Sequence, residues 1–319
     1  MENWSRKIVG FKLVGRWTHD SYRLIRFLGE GTTGVVYLAK QLPSGPLLAL
    51  KMSETPYTIS SEVNILKKLS KDTTTYMGPR FYQMDDGELV GIQKKIYFYT
   101  MEYIEGIPYK RFIEKYGQKW AVVFLLQILK HLSILHQAGW AFGDLKVDNI
   151  IVSFQNLKSQ PQVRWFDVGG FTAFGRSIKE YTEFYDQGYW GVGTRQASIQ
   201  YDLFASSMIF LEAFYPKRFK NVNRGGKTIL RDKIRKYEEI NWFLPVMENV
   251  WSGRYPHAID MHKDVRNRFI QWDAKQKERF SKYKRKRRIQ STFNFILKTS
   301  VILVSILGGY ILYLFYQMR

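Results

Sequence analysis

No cysteine occurs in the 319 residues. That excludes a disulfide framework, a thiolate zinc site and a cysteine nucleophile, and it fits a reducing cytosolic setting. Acidic residues are also scarce, 28 against 49 Lys+Arg, so the formal net charge is +21. The five histidines are scattered without a ligand pattern, and His131 and His136 fall within one long apolar stretch that reads as a helix. The opening residues contain no apolar h-region, so no cleaved signal peptide is expected. There is no internal repeat and no low-complexity linker.

What is present is enough for a core. With 45% apolar, 24% charged and 16% aromatic residues, the chain is neither wholly disordered nor collagen-like, and its length suggests one large domain or two lobes. The excess charge is concentrated. Residues 217–292 carry 22 basic and 8 acidic side chains, ending in Lys282, Lys284, Arg285, Lys286, Arg287 and Arg288. Directly after comes an apolar stretch, 293–316, whose last 18 residues from Thr299 are free of charge. At 1.5 Å per residue these span about 27 Å, close to the thickness of a hydrocarbon core. Lys298 can snorkel to one interface, and Tyr310, Tyr313 and Tyr316 suit the other. The cations hold their side of the span in the cytoplasm, which places everything N-terminal to it in the cytosol.

Residues 35–39 and 47–50 read as buried strands joined by a Pro43-Ser44-Gly45-Pro46 turn, followed by a helix over 60–69 and strands over 89–92 and 96–101. Beyond Gly106 the pattern turns helical, with apolar helices over 119–137 and 202–214 and short strands over 150–152 and 163–166. The fold class is therefore α+β: a β-rich lobe, an α-rich lobe and a basic tail entering a membrane.

Gly29, Gly31 and Gly34 stand in G-x-G-x-x-G spacing. A dinucleotide fingerprint would follow a strand and open a helix. This one lies between β-like segments and suggests a hairpin over phosphates, although alone it is equally an ordinary glycine turn. Lys51 ends the strand after the next, and Glu62 lies on the following helix. Each alone reads as a surface charge, but with the glycine loop they form a nucleotide clamp, since a buried lysine needs a counter-charge. The sharpest element is Asp144-Leu145-Lys146-Val147-Asp148-Asn149, followed by Asp167-Val168-Gly169. The D-x-x-x-x-N spacing lets the Asp orient an acceptor hydroxyl while the Asn and Asp167 hold metal against phosphates.

In these motifs the chain resembles the Hanks-type (eukaryotic-like) protein kinases across roughly residues 20 to 272. The segments SEVNILK, GDLKVDN, DVGG, YTEFYDQGYWGVGTR and YDLFA resemble the YabT-type bacterial kinases, which join a cytosolic catalytic domain to one C-terminal span. The resemblance implies a bilobal kinase fold and phosphoryl transfer from ATP, with Mg2+, to a protein hydroxyl. It assigns Asp144 and Lys146 to catalysis, Lys146 in the D-x-K pattern of Ser/Thr kinases. ATP binding falls to Gly29, Gly31, Gly34, Val36, Ala49, Lys51, Glu62 and the gatekeeper and hinge residues Met101, Glu102 and Tyr103. Metal binding falls to Asn149 and Asp167, and Asp202 resembles the helix aspartate that supports the catalytic loop. The expected bounds are an extension 1–21, an N-lobe 22–103, a C-lobe 104–272, a basic juxtamembrane segment 273–292 and a transmembrane helix 293–316.

The departures have consequences too. Phe142 and Gly143 replace the His and Arg of H-R-D, which removes the basic pocket for an activation-loop phosphate. Val168 replaces the Phe of D-F-G, no A-P-E follows, and the connection from Lys51 to Glu62 is short. The stretch 180–186 reads either as an acidic patch at the substrate entrance or as aromatic packing of a short segment, and Thr172, Ser177, Thr182 and Thr194 are candidate autophosphorylation sites. The basic segment suits anionic lipid beside a membrane, and as an additional reading double-stranded DNA phosphates. The expected partners are protein substrates, a membrane, DNA or lipid, and a second copy as a homodimer. Two rival readings remain beside the membrane kinase: a nucleotide-binding scaffold without turnover (a pseudokinase), and a small-molecule kinase.

Overall fold

The computed structural model describes residues 7–31, 33–72, 78–154, 160–222 and 225–317. Two units emerge, Met1–Arg266 and Asn267–Arg319.

Six antiparallel strands open the first unit: β1 (Lys12–Gly15), β2 (Ser21–Gly31), β3 (Gly34–Leu42), β4 (Leu47–Ser53), β5 (Phe81–Leu89) and β6 (Ile92–Glu102). They close into a barrel in the order β1-β2-β3-β4-β6-β5, with β5 pairing back onto β1. The period-2 alternation of a strand sorts the side chains. Val35, Tyr37 and Ala39 of β3, Leu48, Leu50 and Met52 of β4, and Ile96 and Phe98 of β6 fill the barrel core. The intervening residues share the opposite face, where Val36 pairs with Lys51, Leu38 with Ala49, Ala49 with Met101, and Lys51 with Tyr99. Helix α1 (Pro56–Asp72) lies between β4 and β5 in sequence and packs on β4, β5 and β6.

One expectation changes here. Residues 89–92 form a turn rather than a strand: Leu89 ends β5, Ile92 begins β6, and Gly91 takes φ 94° between them. Strand β1 lies within the expected extension 1–21: with Leu13 and Gly15 buried, Val14 half-buried and Lys12 exposed, so short a strand carries little periodic signal. Leu69, expected on α1, lies outside the described side chains.

The α-rich lobe holds β7 (Ile107–Pro108), α2 (Tyr109–Tyr116), α3 (Trp120–Gln137), β8 (Trp140–Ala141), β9 (Ile150–Ser153), β10 (Gln162–Trp165), β11 (Thr172–Ala173), α4 (Ile199–Glu212), α5 (Gly226–Arg235), α6 (Glu238–Asn241) and α7 (Leu244–Trp251). Helix α4 is the axis of this lobe. Ser198 caps it by accepting the Tyr201 amide at 3.2 Å, and every residue from Tyr201 to Glu212 is buried. Each large apolar side chain buried there contributes roughly 1.5–3 kcal/mol. The lobes are tied by Arg164 of β10, which grips Glu102 at the end of β6 through two bonds of 2.7 and 2.9 Å and the Gly78 carbonyl at 2.6 Å. Burial alone would raise the Glu102 carboxyl, but the Arg164 guanidinium holds it below its ordinary value.

Helix α8 (Ala258–Gln317) runs 60 residues and enters the second unit at Asn267. Its most apolar window has a mean hydropathy of 2.0 and, among the described residues, none that is buried. Helix α3 is also long and apolar enough to cross a membrane, but half of it is buried, packed on α4 as a core helix. The side chains of Phe280, Arg285 and Lys286, and residues 318–319, lie outside the described residues.

Candidate active site

Strands β2 and β3 form the glycine hairpin, with Gly29 opposite Val36 and Gly31 opposite Gly34. Gly34 takes φ 148°, and a β-carbon there would fall 2.4 Å from the Met52 carbonyl oxygen, so only glycine lets the hairpin lie against β4. At its tip Thr33 Oγ1 meets Lys51 Nζ at 2.7 Å. Lys51 also pairs with Glu62 Oε1 at 2.6 Å, and Glu62 Oε2 accepts the Tyr99 hydroxyl at 2.7 Å. Lys51 and Glu62 are 5% and 3% exposed. Burial and then the Glu62 charge push the Tyr99 hydroxyl far up, keeping it a donor. The short Lys51-to-Glu62 connection therefore suffices, because α1 starts at Pro56 and brings Glu62 under β4 within two turns.

Asp167 lies beside this clamp. A β-carbon on Gly169 would lie 3.4 Å from Glu62 Oε1 and 3.8 Å from Thr33 Oγ1, so the Asp167-Val168-Gly169 loop backs against the ion pair. The Gly169 amide donates to Asp167 Oδ1 at 2.9 Å, and Val168, in place of Phe, is 2% exposed. Asn149 closes the short turn Val147–Asn149 and gives its Nδ2 to the Asp144 carbonyl at 3.1 Å and to Asp144 Oδ2 at 3.4 Å. With the amide nitrogen committed, its Oδ1 is left for a cation. Lys146 Nζ pairs with Asp144 Oδ2. Burial raises the Asp144 carboxyl above its ordinary value; Lys146 pulls it down and Asp167 pushes it up. Asn149 and Asp167 offer hard oxygens and fit magnesium, which takes one or two protein ligands plus phosphates. Among the described residues no group of three or more His, Cys, Asp or Glu could hold a metal by itself.

Asp202 holds the backbone of the loop that precedes Asp144. Fully buried, it accepts the Phe142 amide at 2.7 Å and the Gly143 amide at 3.1 Å, and pairs with His136 Nε2 of α3 at 2.9 Å. His136 was legible only as a helix residue, since its partner stands 66 residues away. Gly143 has φ 78°, and a β-carbon there would sit 2.4 Å from the Gly170 carbonyl oxygen.

The segment from 170 to 198 holds itself. Gly175 N reaches Ala197 O, Ala197 N reaches Arg176 O, and Ile178 N reaches Arg195 O, at 2.8 to 3.0 Å. Asp186, 0% exposed, accepts Gly188 N, Tyr189 N, Tyr201 OH and Arg195 Nε, the last at 2.7 Å. In the stretch 180–186 the aromatic packing prevails at its end, with Phe184, Tyr185 and Asp186 buried, while Glu183 stays exposed. Tyr185 donates to Glu212 and accepts the Val147 amide at 3.3 Å, and Arg218 joins Glu212 to Asp148. These ties do the anchoring that A-P-E would have announced.

Of the remaining expected residues, Val36, Ala49 and Met101 share the face of Lys51. Glu102 and Tyr103 lie at the lobe junction, where Arg26 donates to the Tyr103 hydroxyl at 3.0 Å. Lys282, Lys284, Arg287 and Arg288 are exposed on α8.

A protein kinase domain model matches residues 22–283. The chain is 42% identical to the serine/threonine-protein kinase YabT of Bacillus subtilis (strain 168) over 256 residues, 80% of this chain and 74% of that one. It is 24% identical to the cyclin-dependent kinase G-2 of Oryza sativa subsp. indica over 76% of this chain but 33% of the relative, and 26% identical to the kinase PrkC of Bacillus subtilis over 46% and 23%. With the glycine hairpin, the buried Lys51–Glu62 pair and the two acidic loops meeting in one place, the chain belongs to the protein kinase family, as a kinase of the Hanks type.

Proposed function

We propose that the chain is an ATP-dependent serine/threonine protein kinase tethered to the cytosolic face of a cell membrane by α8. The observation that carries this reading is the convergence of the Lys51–Glu62 pair, the Asp167 loop and the Asp144–Lys146–Asn149 cluster.

In this reading the adenine lies against Val36, Ala49 and Met101 and the backbone of residues 102–103, and the hairpin of Gly29, Gly31 and Gly34 covers the phosphates. Lys51, fixed by Glu62, orients the α- and β-phosphates. Asn149 and Asp167 would hold magnesium, which would neutralise phosphate charge. Asp144 orients the attacking hydroxyl and takes its proton, and Lys146, already paired to Asp144, stabilises the transferring group. Serine and threonine acceptors follow from the D-x-K pattern and from the similarity to a serine/threonine-protein kinase of Bacillus subtilis. The unburied apolar window of α8 and the cations before it support the tether, with anionic lipid attracted at about 1 kcal/mol per charge. Double-stranded DNA would meet the same cations by counterion release.

The test is the full chain in detergent micelles with labelled ATP, magnesium and a generic basic protein, with and without duplex DNA, beside Asp144→Asn. Label on Ser or Thr that the variant lacks establishes catalysis, and a rise with DNA makes the basic segment an input. Equal silence in wild type and variant, with ATP still bound, gives the pseudokinase scaffold instead.

A further inference from the structure

The basic run leads into hydroxyls that the kinase reading leaves unused. On α8, Lys284, Arg287, Arg288 and Ser291 line one concavity, a spacing of i, i+3, i+4 and i+7 that puts all four on one helix face. Ser291 is exposed. The neighbouring Thr292 turns its hydroxyl back onto the Arg288 carbonyl at 3.0 Å, so Ser291 is the hydroxyl presented among the cations. Residues 287–292 are all exposed, so unwinding this turn to offer an extended acceptor gives up no buried surface, and like charges at i, i+4 already oppose the helix.

The catalytic loop carries the matching charge. Asp148, four residues after Asp144, keeps a side chain 49% exposed while sharing Arg218. Glu183 is exposed on the turn Glu183–Tyr185, whose Tyr185 hydroxyl takes the Val147 amide. A basic peptide approaching Asp144 therefore meets the exposed Glu183 carboxylate and an Asp148 that Arg218 already balances in part. Ser291 lies two residues before the apolar stretch 293–316 and eight before its charge-free part from Thr299, about 12 Å along the helix, which puts it at the headgroup edge of the expected span. Two copies on one membrane hold each other's segments at high effective concentration.

We infer that Ser291 is phosphorylated by the active site of a second copy of this chain, and that the phosphate acts as a charge switch on the basic run. The inference rests on the kinase reading above. The Ser291 Oγ attacks the γ-phosphorus of ATP, the bond to the β,γ-bridging oxygen breaks, the hydroxyl proton passes to the Asp144 carboxylate, and ADP leaves. The product brings about −1.5 to −2 charges into the face of Lys284, Arg287 and Arg288, weakening its attraction to anionic headgroups.

The experiment mixes full-length wild type with full-length Asp144→Asn in phosphatidylserine-containing vesicles with ATP and magnesium, and maps phosphate on the inactive chain by mass spectrometry. Phosphate is expected on Ser291 of that chain. Ser291→Ala should lose most of the self-label while phosphorylating a generic basic protein as before. Changing Lys284, Arg287 and Arg288 together to Gln should cut Ser291 phosphorylation roughly ten-fold. Ser291 left bare while the generic protein is labelled overturns the inference and leaves the kinase standing. Phosphate on Ser291 of the wild type alone overturns the transfer between copies. Silence toward every acceptor overturns the kinase reading itself.

Discussion

In the unit Met1–Arg266 the charges nearest the chemistry are buried and held: Lys51 by Glu62, Asp202 by His136 and two amides, Asp186 by Arg195 and two amides. Along α8 the pairs Lys277–Asp273 and Lys282–Glu278 are just as short, at 2.6 and 2.7 Å, yet their lysines stay 78% and 75% exposed. The same residue types thus do different work. Inside, a charge fixes one geometry because losing its partner strands it in a low dielectric. On the helix, water screens each pair, and what remains is the summed field of the run.

The comparison can be broken from its strong end. Asp144→Asn should lower phosphoryl transfer about 10³-fold with nucleotide binding retained, measured by single-turnover label transfer and by ATP titration. Glu62→Ala should cost about 3 kcal/mol of stability by leaving Lys51 unpaired, and ATP should bind more weakly; thermal melting and titration check both. Asp202→Ala, which orphans two buried amides, should cost about 2 kcal/mol. Its signature is a kcat loss with the KM for ATP held, because the clamp around Lys51 does not touch Asp202. At the weak end, replacing Lys282, Lys284, Arg287 and Arg288 by Gln should move stability by less than about 1 kcal/mol.

Asp144 sharpens the contrast through pH. Its folded carboxyl is raised chiefly by burial. A raised carboxyl favours the folded state fully below its unfolded value, and that contribution fades as pH climbs through the folded one. Ionising this carboxyl therefore serves the proposed reaction rather than the fold, and Asp144→Asn should melt no lower than wild type. In the proposed reaction activity needs the ionised form, so the acid limb of the rate profile should lie above that of an ordinary aspartate. Lys146→Ala should move it higher still, since Lys146 favours the anion.

Much of this was readable in one dimension. Lys51, Glu62, Asp144, Asn149 and Asp167 sit within short motifs whose spacing is itself chemical, and helices α3 and α4 announced themselves by long apolar runs. The supports were not readable, because they join distant positions. His136 meets Asp202 across 66 residues, Arg164 meets Glu102 across 62, and Tyr185 meets Glu212 across 27. Strand β1 was too short to show a period, and the turn after Leu89 hid inside apolar neighbours. Asp186 looked like one more carboxylate in an acidic stretch until four donors were seen to converge on it.

Gly143 bears on how this enzyme can change over generations. The position that carries arginine in the H-R-D pattern here has φ 78°, with the Gly170 carbonyl where a β-carbon would go. No single substitution can restore the arginine, because any side chain at 143 collides with backbone until residue 170 has moved first. Regaining a loop-phosphate receptor would require an intermediate worse than either end point. The local backbone works as an evolutionary ratchet, and new control over this kinase is pushed toward surfaces that remain free to vary, such as the exposed helix that follows it.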